Sequence, residues 1–526
     1  MEFLVGLIPI ILFLILLAVL KKSALFSTYA SLIVAIILNF VMSSWRIPVQ
    51  GIIASLFEGF AVAWMPIGFV IIAAIFAYDL SVKNGKIEII KTMLGNITSD
   101  RRAQALILAW GFGGFIEGIA GYGTAVAIPA AIMISLGFSP MTAAMICLLA
   151  NSTPTAFGTV GLPVTTMISN FGLNAQQTAL FTSLLLLLLT CVIPFILVVF
   201  ANKEIDGGKN PAFGKGILPV IIASIIGYMV QPLIAMATGA ELPTIISSLI
   251  AMILMIVATK MFVKAEEGFE TVAVSTKDAI LAWLPYILMV VLIVGTSPVV
   301  KVINEPLHEH TISTIDFSFG HWATWFRDAK SAKDAGVAFK WILAPAAPLF
   351  VATVIAGFIQ KVKVKDMVEV LGHTIYHKLD KMLVIMGIVA LSVVMKHSGM
   401  TASIASGLKT LTGSGFPFIA PFLGTIGTFV TGSDLSSNLL FGGIQVGVAK
   451  GLSQNPALQS LLIAANTAGA TGGKMISPQN IAIVTSVSAA LNGKDGELLG
   501  KTIKYSVLYG LVLGILTFVG AGMVIK

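Results

Sequence analysis

The sequence predicts an all-α polytopic membrane protein, with about twelve transmembrane helices and two re-entrant hairpins arranged in an inverted repeat. Three observations predict it. Of the 526 residues, 57% are hydrophobic and 11% are charged, and the mean hydropathy is +0.97, whereas a soluble domain carries about 25% charged residues. The apolar residues fall in uninterrupted runs of helical length, not in heptads or polar tracts. Two distant stretches also read alike at a nearly constant offset. The same composition excludes a water-soluble multidomain enzyme, a coiled coil and a disordered chain.

The first run, Phe3 to Leu20, ends on Lys21-Lys22. As a helix it reaches about 27 Å, enough for a bilayer core of roughly 30 Å. It lacks the basic start and small-residue cleavage site of a secretory signal, and so reads as a retained span. Further spans are expected near 24–42, 51–79, 140–169, 176–201, 217–237, 242–259, 279–297, 341–360, 381–396, 456–491 and 501–525. Apolar stretches at 103–137 and 416–449 are interrupted by glycines and read as hairpins.

With the N-terminus outside, 21 Lys and Arg residues fall on the cytoplasmic side and ten outside, and Lys474 lies within a span. This is the asymmetry of the positive-inside rule. The net charge of +8 is therefore a topology signal pointing to the lipid bilayer, not to nucleic acid, and both termini are expected to be external. The polar segment 298–340 would be external as well; it holds His308, His310, His321, Trp322 and Trp325. Loop histidines without fixed spacing do not supply the three or four convergent ligands of a zinc site, so no metal is expected. Cys147 and Cys191 lie in apolar runs without a Cys-x-x-Cys spacing, which predicts buried thiols and no disulfide framework.

The repeat pairs Lys83-Asn84-Gly85 with Lys396-His397-Ser398-Gly399, Phe115-Ile116-Glu117-Gly118 with Phe429-Val430-Thr431-Gly432, and Asn151-Ser152 with Asn466-Thr467. The offset stays between 313 and 315 residues. The charge count puts the first of these segments inside and its counterpart outside, so the repeats are expected to be inverted, as in many secondary transporters. The first repeat is assigned to 51–201, the second to 381–526, and 202–380 to linking spans. Breaks are expected at Asn151-Ser152-Thr153-Pro154 in the fourth span and at Asn466 to Gly473 in the eleventh.

A broken helix exposes backbone N–H groups, and its new N-terminus favours negative charge. Two such ends facing each other form a site for a small carboxylate. The amides of Asn151 and Asn466 and the hydroxyls of Ser152, Thr153 and Thr467 are candidate partners. The plainer reading, that such residues only permit close helix packing, stands beside it. Charges inside the membrane are the stronger signal, since each costs roughly 2.5–3.5 kcal/mol at a helix centre. Glu117, Asp434 and Lys474 fall in the repeat cores. A desolvated carboxyl favours its protonated form, which makes Glu117 and Asp434 candidate proton carriers; Lys474 would pair with one of them or attract an anion. Gly469 to Met475 departs from a phosphate loop at Ala468 and Met475, and no catalytic triad or cofactor motif is found.

Three motifs carry a resemblance. Phe115-Ile116-Glu117-Gly118 with Ala120-Gly121-Tyr122-Gly123, Thr431-Gly432-Ser433-Asp434 with Ser436-Ser437-Asn438, and Gly473-Lys474-Met475-Ile476-Ser477-Pro478-Gln479 together resemble the bacterial L-lactate permease family over nearly the whole chain. Two mild departures are Tyr122, where the family often has Phe, and the segment 298–340, which is shorter than in some members. The resemblance implies proton-coupled uptake of lactate, and of glycolate in some members, across the bacterial cytoplasmic membrane. It also implies a likeness to the wider ion-transporter superfamily and an elevator-like motion. The hairpin residues Gly121, Tyr122, Gly123, Ser433, Ser436, Ser437 and Asn438 join Lys474, Ser477 and Gln479 in the expected substrate site. The rival reading within transport is a sodium-coupled carboxylate carrier with a structural Glu117. A membrane-embedded enzyme fits poorly, because the polar groups cluster at mid-span in a two-fold pattern.

Overall fold

The computed structural model describes residues 2–121, 123–205, 207, 211–214, 216–264, 272–297, 299–327 and 337–525. Among them, nine helices are long and apolar enough to cross a membrane, and the bent pair Pro140–Ala150 and Thr153–Phe171 makes a tenth. The expected count of about twelve is not reached, for three local reasons. Ala346–Ile359 is only 14 residues long. The expected span 381–396 is the apolar end of a 35-residue helix, Val364–Ser398, whose first half is charged. The expected span 456–491 is divided between Ala457–Lys474 and the eight-residue Pro478–Thr485. In the other direction, Met400–Thr431 qualifies as a span although it was not expected to.

Local chemistry sets the ends of these helices. Ser139 accepts from the Thr142 amide and precedes a proline at the first helical position, which starts Pro140–Ala150. Asn174 caps Ala175–Asn202 by accepting from the Gln177 amide. Along that helix Leu184, Leu188, Val192 and Val199 are exposed on one flank, whereas Thr178, Thr182, Ser183 and Thr190 are buried and satisfied mainly by carbonyls four residues back. An apolar outside around a partly polar inside is the arrangement lipid demands. Cys147 is buried but Cys191 is only half-buried, because it lies towards the outer flank of the same helix.

The helix expected to break at Asn466 to Gly473 does not break there; Ala457–Lys474 is continuous, and the chain turns only at 475–477. The small residues serve close approach instead. A Cβ on Gly469 would lie 1.8 Å from the Pro421 carbonyl oxygen, one on Gly473 2.2 Å from that of Thr425, and one on Gly424 1.9 Å from that of Asn466. Phe416–Thr431 and Ala457–Lys474 therefore cross backbone on backbone. A second tight crossing joins Val49–Val62 to Val364–Ser398, where a Cβ on Gly59 would fall 2.5 Å from Ala390 Cα.

The segment expected as an external loop holds a helix, Lys301–His310, and a two-stranded antiparallel sheet that pairs Ile312 with Lys340 and Ile315 with Val337. Gly469→Ala should lower stability by about 1–3 kcal/mol through overpacking, whereas Gly522→Ala, which meets open space, should be neutral or mildly stabilising. Thermal unfolding of the purified variants in detergent checks the contrast.

Candidate functional site

Three charges lie deep in the protein: Glu117, Asp434 and Lys474 are 2%, 3% and 6% exposed. The fold brings them together from three elements. Glu117 sits near the end of a continuous helical stretch that runs from Arg101 to Ile119 through a wider π-type turn at Leu106–Phe112. The chain reverses at Gly121 and Gly123, which have φ of +50° and +89°, and returns as Thr124–Ser135. Asp434 opens Asp434–Leu452, which follows Phe416–Thr431 across Gly432 at φ +72°. Lys474 ends Ala457–Lys474.

Lys474 Nζ lies 2.7 Å from Glu117 Oε1 and donates at 3.1 Å to Thr155 Oγ1. Thr155 in turn donates to the Asn151 carbonyl. A pair this buried holds its place only because both charges are compensated. Asp434 Oδ1 accepts from Thr428 at 3.2 Å, and its carboxylate interacts electrostatically with both Lys474 and Glu117. The group therefore contains two carboxyl groups and one ammonium.

Around it the hydrogen-bonding capacity is uneven. Asn151, with both amide atoms, Thr153 Oγ1, Ser477 Oγ, Glu117 Oε2 and Asp434 Oδ2 are buried without a partner. Buried polar atoms are usually satisfied, so these atoms carry unmet hydrogen-bonding capacity close to the three charges. The expected partners in the second half are committed elsewhere. Asn466 donates to Asn438 Oδ1 at 2.8 Å and accepts from Gln445 at 3.0 Å. Asn438 donates to Thr467 Oγ1 and to the Pro163 carbonyl. Ser437 donates to the Gly424 carbonyl, Ser433 caps its helix by accepting from the Ser436 amide, and Ser152 donates to the Leu149 carbonyl.

The turns of the two hairpins meet on the same short helix, Pro478–Thr485. A Cβ on Gly123 would fall 2.6 Å from Ile483 Cδ1, and one on Gly432 2.4 Å from Gln479 Oε1. Asn480 also donates to the Gly432 carbonyl at 3.2 Å. Gln479 itself is exposed at the rim, and Tyr122 lies outside the described residues. Thr155, Thr428 and Gln445 were missed at the level of sequence; for Thr155 the available signal was its place one residue beyond the Asn151-Ser152-Thr153-Pro154 break.

After that break the chain follows an unusual course. Thr153–Phe157 forms a 3-10 turn, and Thr159, Val160 and Gly161 then all take positive φ, at 47°, 55° and 71°. Left-handed backbone at non-glycine residues costs roughly 1–2 kcal/mol each. One face of this turn backs onto the buried charges: a Cβ on Gly158 would lie 2.6 Å from Glu117 Oε1. On the other face, Val160 and Leu162 line a cavity of about 890 Å³ whose rim includes His308, Lys340 and Lys450. None of the expected site residues lines it; the turn stands between Glu117 and the cavity.

Apolar helices around a buried charged cluster, with paired hairpins and a cavity, here the vestibule, ending on strained backbone, are the architecture of a membrane transporter. The chain belongs to the L-lactate permease family, whose description it matches over residues 2–524. It is 39% identical over 457 residues to an L-lactate permease of Streptococcus iniae, covering 86% of this chain and 91% of that one. It is 32% identical over 548 residues to an L-lactate permease of Bacillus subtilis (strain 168), covering 98% and 95%. Its similarity to the glycolate permease GlcA of Escherichia coli (strain K12) is 32% over 551 residues, covering 98% and 95%. The resemblance found in the motifs holds for the whole chain.

If the Lys474–Glu117 pair is held by mutual compensation, Lys474→Met alone should cost about 3–5 kcal/mol and the double variant Lys474→Met/Glu117→Gln clearly less. Thermal unfolding of the two variants side by side gives the comparison.

Proposed function

We propose that the protein is a secondary active transporter that carries L-lactate and related 2-hydroxymonocarboxylates such as glycolate into the cell together with protons. The relatives named for lactate and for glycolate share one substrate chemistry: a carboxylate with a hydroxyl on the neighbouring carbon. In this reading the carboxylate approaches Lys474 beside Thr153 and Thr155. The 2-hydroxyl bonds the amide of Asn151, whose donor and acceptor are both free. Asn466 and Thr467 hold helices together instead of touching substrate.

Charge balance is the observation that carries the coupling. The site holds two carboxyl groups and one ammonium, so it is neutral with one carboxyl ionised, and a further buried anion without a counter-charge is neutralised by a proton. A substrate anion adds one negative charge to that balance, so one proton enters with it, onto Glu117 or Asp434. One anion with one proton moves no net charge, and the pH gradient drives uptake.

The same reading assigns 51–201 and 381–526 to inverted repeats joined by 202–380. It places both termini outside the bacterial cytoplasmic membrane, as the distribution of Lys and Arg supports. The vestibule with His308 and Lys340 on its rim then faces outward. Supporting the repeat, Phe69–Lys83 and Val364–Ser398 each end near a left-handed glycine, Gly85 and Gly399, and each is followed by a shorter amphipathic helix.

Counterflow in proteoliposomes with a panel of 2-hydroxy acids, with and without a pH gradient, tests the proposal. Asp434→Asn and Glu117→Gln should reduce pH-driven accumulation far more than they reduce exchange. If both variants concentrate lactate as well as the native protein, the carriers are misassigned. If replacing sodium by choline at fixed pH abolishes uptake, the coupling ion is sodium and not the proton.

A further inference from the structure

On the wall of the vestibule, away from the buried cluster, stands a second titratable group that the sequence did not reveal. Glu58 lies on Val49–Val62 and His397 on the last turn of Val364–Ser398. Both line the cavity. His397 Nε2 lies 3.6 Å from Glu58 Oε2, with side chains 1% and 12% exposed. Ser55 lies on the other side of the ring, its Oγ 3.0 Å from His397 Nδ1.

Ser55 has one hydroxyl proton, and its Oγ lies 2.7 Å from the Gly51 carbonyl oxygen as well as 3.0 Å from His397 Nδ1. With that proton given to the Gly51 carbonyl, Ser55 accepts from His397, in the tautomer whose Nδ1 carries a hydrogen. Nε2 then faces Glu58. At 3.6 Å the two atoms are near each other without a hydrogen bond; a bare Nε2 opposite an ionised carboxylate would set two acceptors against each other, so the favourable arrangement has one proton on the pair. It sits on Nε2, giving imidazolium and carboxylate, or on Glu58, giving two neutral groups; either way the pair is electrically neutral. Loss of that proton leaves one negative charge on the vestibule wall.

The surroundings hold the ring in place. The Phe326 ring lies 3.9 Å from that of His397 and the Trp322 ring 5.4 Å, edge-on. The Arg327 amide donates to the His397 carbonyl at 2.8 Å. The charged groups nearest the pair are Lys396 on the same helix and Asp316, which interacts with Glu58; the Arg327 guanidinium donates to the Arg46 and Ser43 carbonyls. Across the cavity stand Glu241, Lys340, Lys450 and His308.

We infer that Glu58 and His397 form a proton-binding site on the vestibule wall, which takes a proton from vestibule water ahead of the buried cluster. The proton adds to Glu58 Oε2 or His397 Nε2 and brings the pair from one negative charge to none. It passes inward only when the left-handed turn at Thr159–Gly161 gives way. A neutral pair also repels an incoming carboxylate less than the deprotonated pair does. The inference rests on the proton-coupled reading above and adds the place where the proton is loaded.

Initial rates of lactate uptake, measured as pH is varied on the vestibule side, test it. The native protein should show uptake rising as pH falls, by at most about tenfold per pH unit for one titrating site. Glu58→Gln should flatten that step, and Glu58→Asp should restore it. His397→Gln provides the second variant should Glu58→Gln not be recovered folded. A Glu58→Gln protein with the native pH profile overturns the inference while leaving proton coupling intact, as does one whose counterflow falls in step with its pH-driven uptake. A native protein whose uptake ignores the pH gradient removes the proton-coupled reading itself, and this inference with it.

Discussion

The structure depends on the cost of placing charge inside a membrane. A lysine at the centre of a bundle remains there only if another group offsets it, and Lys474 finds Glu117 at 2.7 Å from a residue 357 positions away. That pairing fixes how the two hairpins meet. Glu117 comes at the end of one hairpin arm, Asp434 opens the second arm of the other, and Lys474 closes the helix that crosses backbone on backbone with Phe416–Thr431. The glycines at 424, 469 and 473 make that crossing possible, and without it the three charges would not share one site.

A second constraint is separation. The vestibule reaches Val160 and Leu162, while Gly158 presses on Glu117, so a strained turn lies between the cavity and the buried pair. Strained backbone persists where the surroundings hold it, and it often lies at positions that move. Gly161 is held against the Ala240 carbonyl. The turn is thus held by its neighbours on both faces, against Glu117 on one side and the Ala240 carbonyl on the other.

Much of the site was legible in sequence because the membrane makes ionisable residues rare and conspicuous. Glu117, Asp434 and Lys474 stood out as charges within apolar runs, and they converge. The Asn151-Ser152 break was legible from its proline. Other features escaped for physical reasons. A run such as Asn466 to Gly473 reads alike whether it breaks a helix or lets another backbone approach; the Pro421 carbonyl, remote in sequence, decides. Asn151 and Asn466 look equivalent in the repeat, yet one is unpartnered and the other is bound to Asn438 and Gln445. Strands of four residues, Ile312–Ile315 and Val337–Lys340, are too short to show a period. No spacing rule links Glu58 to His397, because their contact is a consequence of the Gly59–Ala390 crossing.

The central claim is that Lys474 and the unpartnered polar atoms around it receive the substrate carboxylate. Binding of L-lactate to the purified protein, followed by isothermal titration calorimetry, tests this without reference to coupling or to orientation in the bilayer. The account predicts saturable binding that weakens at least about tenfold, or 1.4 kcal/mol, in a folded Lys474→Gln variant. A folded Lys474→Gln protein that binds L-lactate with native affinity would contradict it.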